Sequence, residues 1–74
     1  MGALIEWAPG RRDSVDGRWF INTGSTRDGD RSVREFYLID QRDGRPGVPR
    51  GVFNRAVEAR ERAEEIVAEE RFNA

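Results

Sequence analysis

The chain has no cysteine and no histidine, and all 13 of its basic residues are arginine. Without cysteine there is no disulfide and no thiol nucleophile. Without histidine there is no Cys/His zinc site, no imidazole general base and no Ser-His-Asp hydrolysis. Without lysine, Schiff-base chemistry is excluded as well. Carboxylate pairs remain, but Asp13 with Asp16, and Asp28 with Asp30, stand in turn-forming sequence where aspartate serves the backbone. Asp28-Gly29-Asp30 lacks the ligand spacing and terminal glutamate of an EF-hand, and Gly44, Gly47 and Gly51 do not make a phosphate-binding loop without its lysine. The chain is therefore expected not to be an enzyme, to use no cofactor, and to have no catalytic, cofactor-binding or metal-ligating residue.

Long apolar runs are also missing. No stretch of about 18 apolar residues is present to span a membrane, and the N-terminus lacks the basic-then-apolar layout of a signal peptide, so a cytoplasmic location is expected. Arginine without lysine fits GC-rich coding, although the planar guanidinium also suits carboxylate and phosphate recognition. What is present is enough for a fold. Seven aromatics, Trp7, Trp19, Phe20, Phe36, Tyr37, Phe53 and Phe72, are too many for a disordered chain. At 74 residues there is room for one domain, which buries only about 60% of the surface its unfolded form exposes. With staples excluded, good packing or a covering partner must stabilise it, and homodimerisation is one way to supply that cover.

Turn residues divide the chain. Ala3 to Trp7 is mostly apolar, stops at Ala8-Pro9-Gly10 and is expected to be a first strand. Arg11 to Gly17 is a polar connection. Arg18 to Thr23 is rich in aromatic and β-branched residues and is expected to be a second strand, with Thr26 to Ser32 as a loop. Val33 to Asp40 has the strongest strand signal. From Gln41 the density of glycine and proline marks a connector, taken as 41–53. Asn54 offers a side-chain oxygen for a helix cap, Phe53 an apolar anchor, and Ala56, Ala59, Ala63, Ile66 and Val67 recur at helical spacing, so a helix is expected over about 54–72. Glu58 and Arg62 have the i,i+4 spacing of an ion pair. The fold class is α+β: one domain over 1–74, with a three-stranded antiparallel sheet over about 3–40 packed on one long C-terminal helix.

Alternation along the strands leaves a face over. Arg34, Phe36, Leu38 and Asp40 point one way and Val33, Glu35, Tyr37 and Ile39 the other, while Trp19 and Ile21 oppose Phe20. One helix covers one face, so apolar side chains on the other face stand in water, under the connector, or against a second molecule. Charge is uneven too: residues up to Arg55 carry a balance of +2 and those from Ala56 onward −3, which gives the net −1. Glu64, Glu65, Glu69 and Glu70 crowd the last turns of the helix and form an acidic stripe suited to docking on a basic surface, such as one that normally holds nucleic acid.

The order of two strands, an aromatic strand, a Gly/Pro connector, then Phe53-Asn54, Glu58-Ala59, Ala63 and Glu65-Ile66, resembles the arm-type DNA-binding domain of phage integrases from about Gly17 to Glu70. That resemblance implies a sheet that reads the major groove and would place Arg18, Arg34 and Arg42 on nucleic acid. The acidic balance and the missing basic stripe depart from it. In size, acidity and lack of catalytic chemistry the chain also resembles small phage or mobile-element inhibitors of the anti-CRISPR type, which implies a non-catalytic module that binds a protein partner. The expected partner-binding residues are Glu64, Glu65, Glu69 and Glu70, with Trp19, Phe20 and Tyr37 as interface aromatics.

Overall fold

The computed structural model describes residues 4–10, 12–42 and 46–72. Three strands, β1 (Trp19–Asp28), β2 (Arg31–Asp40) and β3 (Val48–Phe53), precede one helix, α1 (Ala56–Phe72). The strands form an antiparallel sheet in the order β1-β2-β3, and the helix packs against one side of it. The expected α+β class holds. The strands that make up the sheet differ from the expected set in three places, each for a physical reason.

Leu4–Trp7 is not a strand of this sheet, and Ala3 lies outside the described residues. The turn at Pro9-Gly10 brings the chain back too soon for a ladder to grow. One bridge forms between Trp7 and Ser14, and a second joins Asp13 to Phe20 on the free edge of β1. Ile5 is nevertheless part of the core. The expected loop over Thr26–Ser32 is a continuation of the hairpin. β1 runs on to Asp28 and β2 begins at Arg31, so only Gly29 and Asp30 turn. These residues are polar and exposed on both faces, and backbone pairing rather than burial keeps them extended.

The third correction falls in the Gly/Pro connector, whose last six residues, Val48–Phe53, are β3. Proline and glycine fit there because β3 is an edge strand with a bulge: the register slips between Leu38 and Ile39, which pair with Gly51 and Pro49. Gly51 has a backbone φ of +148°, and a Cβ on it would lie 2.8 Å from Phe53 Cζ. A side chain at this position would therefore be strained and would displace the ring that roofs the end of the core.

The core lies between sheet and helix. Trp19, Ile21, Phe36 and Leu38 from the strands meet Ala59, Ala63 and Ile66 from α1, with Ile5 at the side and Trp7, Phe53, Ala56 and Val67 around the margin. The inward helix positions are therefore the ones expected from helical spacing. Two fully buried alanines let the helix backbone lie close to Leu38, which is itself fully buried. The helix begins later than expected. The Ala59 amide bonds the Arg55 carbonyl, which makes Arg55 the cap position, and no hydrogen bond of the Asn54 side chain is formed among the described residues. Arg62 reaches forward to Glu65 (3.2 Å) and Glu69 (3.5 Å), not back to Glu58. Among the described residues no helix is long and apolar enough to cross a membrane.

Candidate functional site

Directly opposed residues of paired strands share a face, so the register assigns the paired side chains of the sheet. Trp19, Ile21, Phe36, Leu38, Gly51 and Phe53 face the helix. Phe20, Asn22, Gly24, Thr26 and Asp28 of β1, Arg31, Val33, Glu35, Tyr37 and Ile39 of β2, and Pro49 and Val52 of β3 make the opposite face. That face has no second layer among the described residues. Phe20, Tyr37 and Ile39 are half-buried, Pro49 is exposed, and Val33 and Val52 are 36% and 55% exposed. Gly47, just before β3, lies against Ile39 at one end of it.

Its centre is fixed by Tyr37. The ring lies across β1 at Gly24, where a Cβ would come within 2.8 Å of Tyr37 Cε2, so glycine is what allows the aromatic to lie flat. The Tyr37 hydroxyl donates to Glu35 Oε2 (2.5 Å), and Thr26 Oγ1 donates to Glu35 Oε1 (2.7 Å). The hydrogen bond from Tyr37, then that from Thr26, holds the Glu35 carboxyl below its ordinary range. The same bond to a carboxylate raises the Tyr37 phenol above 10.0. The apolar patch thus carries one carboxylate, and both of its oxygens accept hydrogen bonds from neighbours on the same face.

Trp19 is not an interface aromatic. It faces the helix and is fully buried, with Arg18 Cζ stacked 4.5 Å from its ring centroid. Phe20 and Tyr37 do lie on the uncovered face. Ile39 shares that face with them, as alternation along its strand implies, and so does Val52, which the sequence hides because the proline and glycine of β3 read as a connector.

The four glutamates do not form one stripe. Glu70 Oε1 and Oε2 accept from Arg18 Nη1 and Nη2, both at 2.8 Å, and Arg42 also reaches Glu70. Arg18 is shared with buried Asp40, with Nε to Oδ1 at 2.9 Å and Nη2 to Oδ2 at 3.1 Å. The result is a clasp that joins the start of β1, the end of β2 and the C-terminal turns of α1. Glu70 is pulled down to about 2, first by the Arg18 hydrogen bonds, against some desolvation, and then by Arg42. Burial pushes Asp40 up, but hydrogen bonds and charge from Arg18, helped by Arg42, outweigh it and leave Asp40 lowered. The Arg18 guanidinium is stabilised in turn by Asp40 and then Glu70. Glu65 and Glu69 share Arg62, and Glu64 is half-buried.

Of the arginines expected on nucleic acid, Arg18 and Arg42 are brought together, but in the clasp with Asp40 and Glu70, and Arg34 stands apart, exposed on the helix-side face with Phe36 and Leu38. Of the arginines that the register places, Arg31 lies on the uncovered face, directly opposite Asp28; Arg50, exposed at the bulge of β3, has no partner in the register. No known protein family, curated protein or solved structure matches this chain. Function must therefore be argued from the surface itself.

Asp13 and Asp16 belong to the scaffold. Asp16 Oδ1 accepts from Ser14 Oγ (2.5 Å) and from the Arg18 amide (3.0 Å), and Ser14 Oγ accepts from the Trp19 amide (2.9 Å). This sets the turn that delivers β1, and the Ser14 bond is the first cause of the lowered Asp16 carboxyl. Among the described residues no three carboxylates are grouped to hold a metal ion.

Proposed function

We propose that the chain is a non-catalytic protein-binding module that docks through the uncovered face of its sheet. The observation that carries this is the adjoining set of Phe20, Ile39, Tyr37 and Val52, with Val33 beyond Glu35, on a face with no second layer among the described residues, in a domain whose opposite face already holds the core. Contiguous exposed apolar surface on so small a domain is characteristic of an interface. Obstruction of a host complex, the role implied by the resemblance to small phage inhibitors, is proposed to run through this face and not through the helix glutamates. Three of those glutamates already have arginine partners within the chain.

Nucleic-acid binding receives less support from the same geometry, because phosphate contacts need several positive charges free of carboxylates on one surface. The test uses immobilised chain and cell extract, comparing wild type, Val52→Glu and the double variant Glu65→Arg, Glu69→Arg. A protein retained by wild type and the helix variant, and lost with Val52→Glu, supports the sheet face. A protein lost only with the helix variant moves the site to the acidic helix. Micromolar retention of random duplex DNA with a steep salt dependence would return the arm-type reading.

A further inference from the structure

We infer that the open half of the β1 edge, from Thr23 to Arg27, takes an extended acidic segment of a partner protein as a fourth, antiparallel strand. This surface is the side of the sheet, apart from the apolar face proposed above, and it is tested separately from that face.

In an antiparallel ladder the amide and carbonyl of one residue point to the same side, and successive residues alternate. The Ile21 amide bonds the Arg12 carbonyl and the Ser14 amide bonds the Trp19 carbonyl, so Trp19 and Ile21 point away from β2. Thr23, Ser25 and Arg27 have the same parity and also point outward. Residues 12–14 thus already pair with the near half of this edge, with Asp13 bridged antiparallel to Phe20. The chain then turns away at Pro9-Gly10, where the Ala8 amide bonds the Asp13 carbonyl. Past that point the outward groups of Thr23, Ser25 and Arg27 have no backbone partner among the described residues. Sheet edges are usually blunted by a proline, a bulge or a cover; β3 has a proline and a bulge, and the far half of β1 has neither. An open cleft of about 580 Å³, lined in part by Arg12, Ile21, Asn22 and Arg60, lies where the cover stops and can seat the first side chain of an added strand.

Charge selects the occupant. Thr23, Ser25 and Arg27 lie on the helix-side face, opposite Phe36, Arg34 and Ser32. Arg12 Cζ stands 5.5 Å from the Phe36 ring centroid, so Arg12, Arg34 and Arg27 follow one another along the open edge. All three are exposed, and none is paired with a carboxylate among the described residues. Alternate residues of a strand are about 7 Å apart on one face, so carboxylates at every second position of an added strand meet this row. Main-chain bonds then supply affinity and the alternate acids supply specificity. A second copy paired at this edge would set the same arginines against each other. A nucleic-acid duplex would find three cations, few for phosphate binding, and has no alternating amides and carbonyls to offer the edge.

The experiment titrates the whole chain, followed by NMR, with a peptide of alternating glutamate and threonine, about ten residues long. Glutamates facing the arginines are the residues whose amides point at β1, because directly opposed residues share a face. The peptide is therefore also made N-methylated at its glutamates, or at its threonines. The unmodified peptide is expected to bind with a Kd on the order of 100 μM and to slow amide hydrogen exchange at Thr23, Ser25 and Arg27 by at least about 10-fold. Methylation at glutamate, replacement of the glutamates by lysine, or the double variant Arg27→Glu, Arg34→Glu should each weaken binding by at least about 10-fold. Methylation at threonine, and Val52→Glu in the chain, should leave it unchanged. Absence of binding up to about 1 mM, or binding indifferent to methylation at glutamate, overturns the added strand. So does tighter binding of random duplex DNA than of the peptide, or loss of the peptide with Val52→Glu, which would move it to the apolar face. The extract comparison judges that face whatever the peptide does.

Discussion

Glu70 joins the helix to the start of β1, and its removal should be felt most above pH 4.5 and fade as the pH falls through about 2. The carboxyl is depressed from 4.5 to about 2 in the folded chain, so the unfolded state takes up the proton first as the pH falls. Stability contributed by Glu70 is then fully present above the unfolded value and is lost on acidification through the folded one. A depression of that size corresponds to about 3 kcal/mol. The side chain is 38% exposed, however, and solvent screening reduces this to about 1–2 kcal/mol. For a domain of this size that is a fall in Tm of about 5–15 °C. Thermal melts of wild type and Glu70→Gln, followed by circular dichroism between pH 7 and pH 2, measure it. The gap should be largest near pH 7, narrow below pH 4.5, and be nearly gone at pH 2. Glu69→Gln, which removes an exposed partner of Arg62, should stay within about 0.5 kcal/mol of wild type throughout. A Glu70→Gln gap that is absent at pH 7, or constant with pH, would refute the clasp.

Gly51→Ala should destabilise by about 2 kcal/mol or more, through a strained φ and collision with the Phe53 ring, as read by urea unfolding; an unchanged midpoint would contradict both causes. Ala63→Leu should cost about 2–3 kcal/mol by lifting the helix off the sheet, whereas Ala68→Leu, at an exposed position of the same helix, should cost almost nothing. Tyr37 is the only tyrosine, so its phenol can be titrated by ultraviolet absorbance without ambiguity. Wild type should ionise above 10.0 and Glu35→Gln closer to it; identical curves would mean that the hydroxyl does not donate to Glu35 in solution.

The helix was legible because its inward alanines and Ile66 recur at helical spacing and nothing competes with that signal. β2 was legible because apolar residues occupy both of its faces. β3 was hidden because the residues that fit an edge strand with a bulge, Pro49 and Gly51, are the same residues that end strands elsewhere. The far half of the hairpin was hidden because backbone pairing holds it, and Ser25, Arg27 and Ser32 carry no apolar alternation to reveal it. At the candidate site, alternation separated Trp19 from Phe20, but which of the two is buried depends on the side the helix takes. That side is a tertiary fact. The clasp could not be read because Arg18, Asp40 and Glu70 are far apart in the chain, and their charges look like ordinary surface charges until the three elements meet.

The strands lie side by side in the order in which they follow one another along the chain. Two residues connect the first pair and seven, 41–47, connect the second, so little loop-closure entropy opposes either pairing. A hairpin of this kind forms within microseconds but does not persist alone, so packing of the helix on Leu38 is expected to set the barrier. The tie from Arg18 to Glu70 spans 52 residues and is expected to close after it. Contacts that form after the barrier govern escape from the native state and leave the speed of entry unchanged. Weakening that tie should therefore quicken unfolding, while the folding rate stays where the hairpin and the docking helix set it.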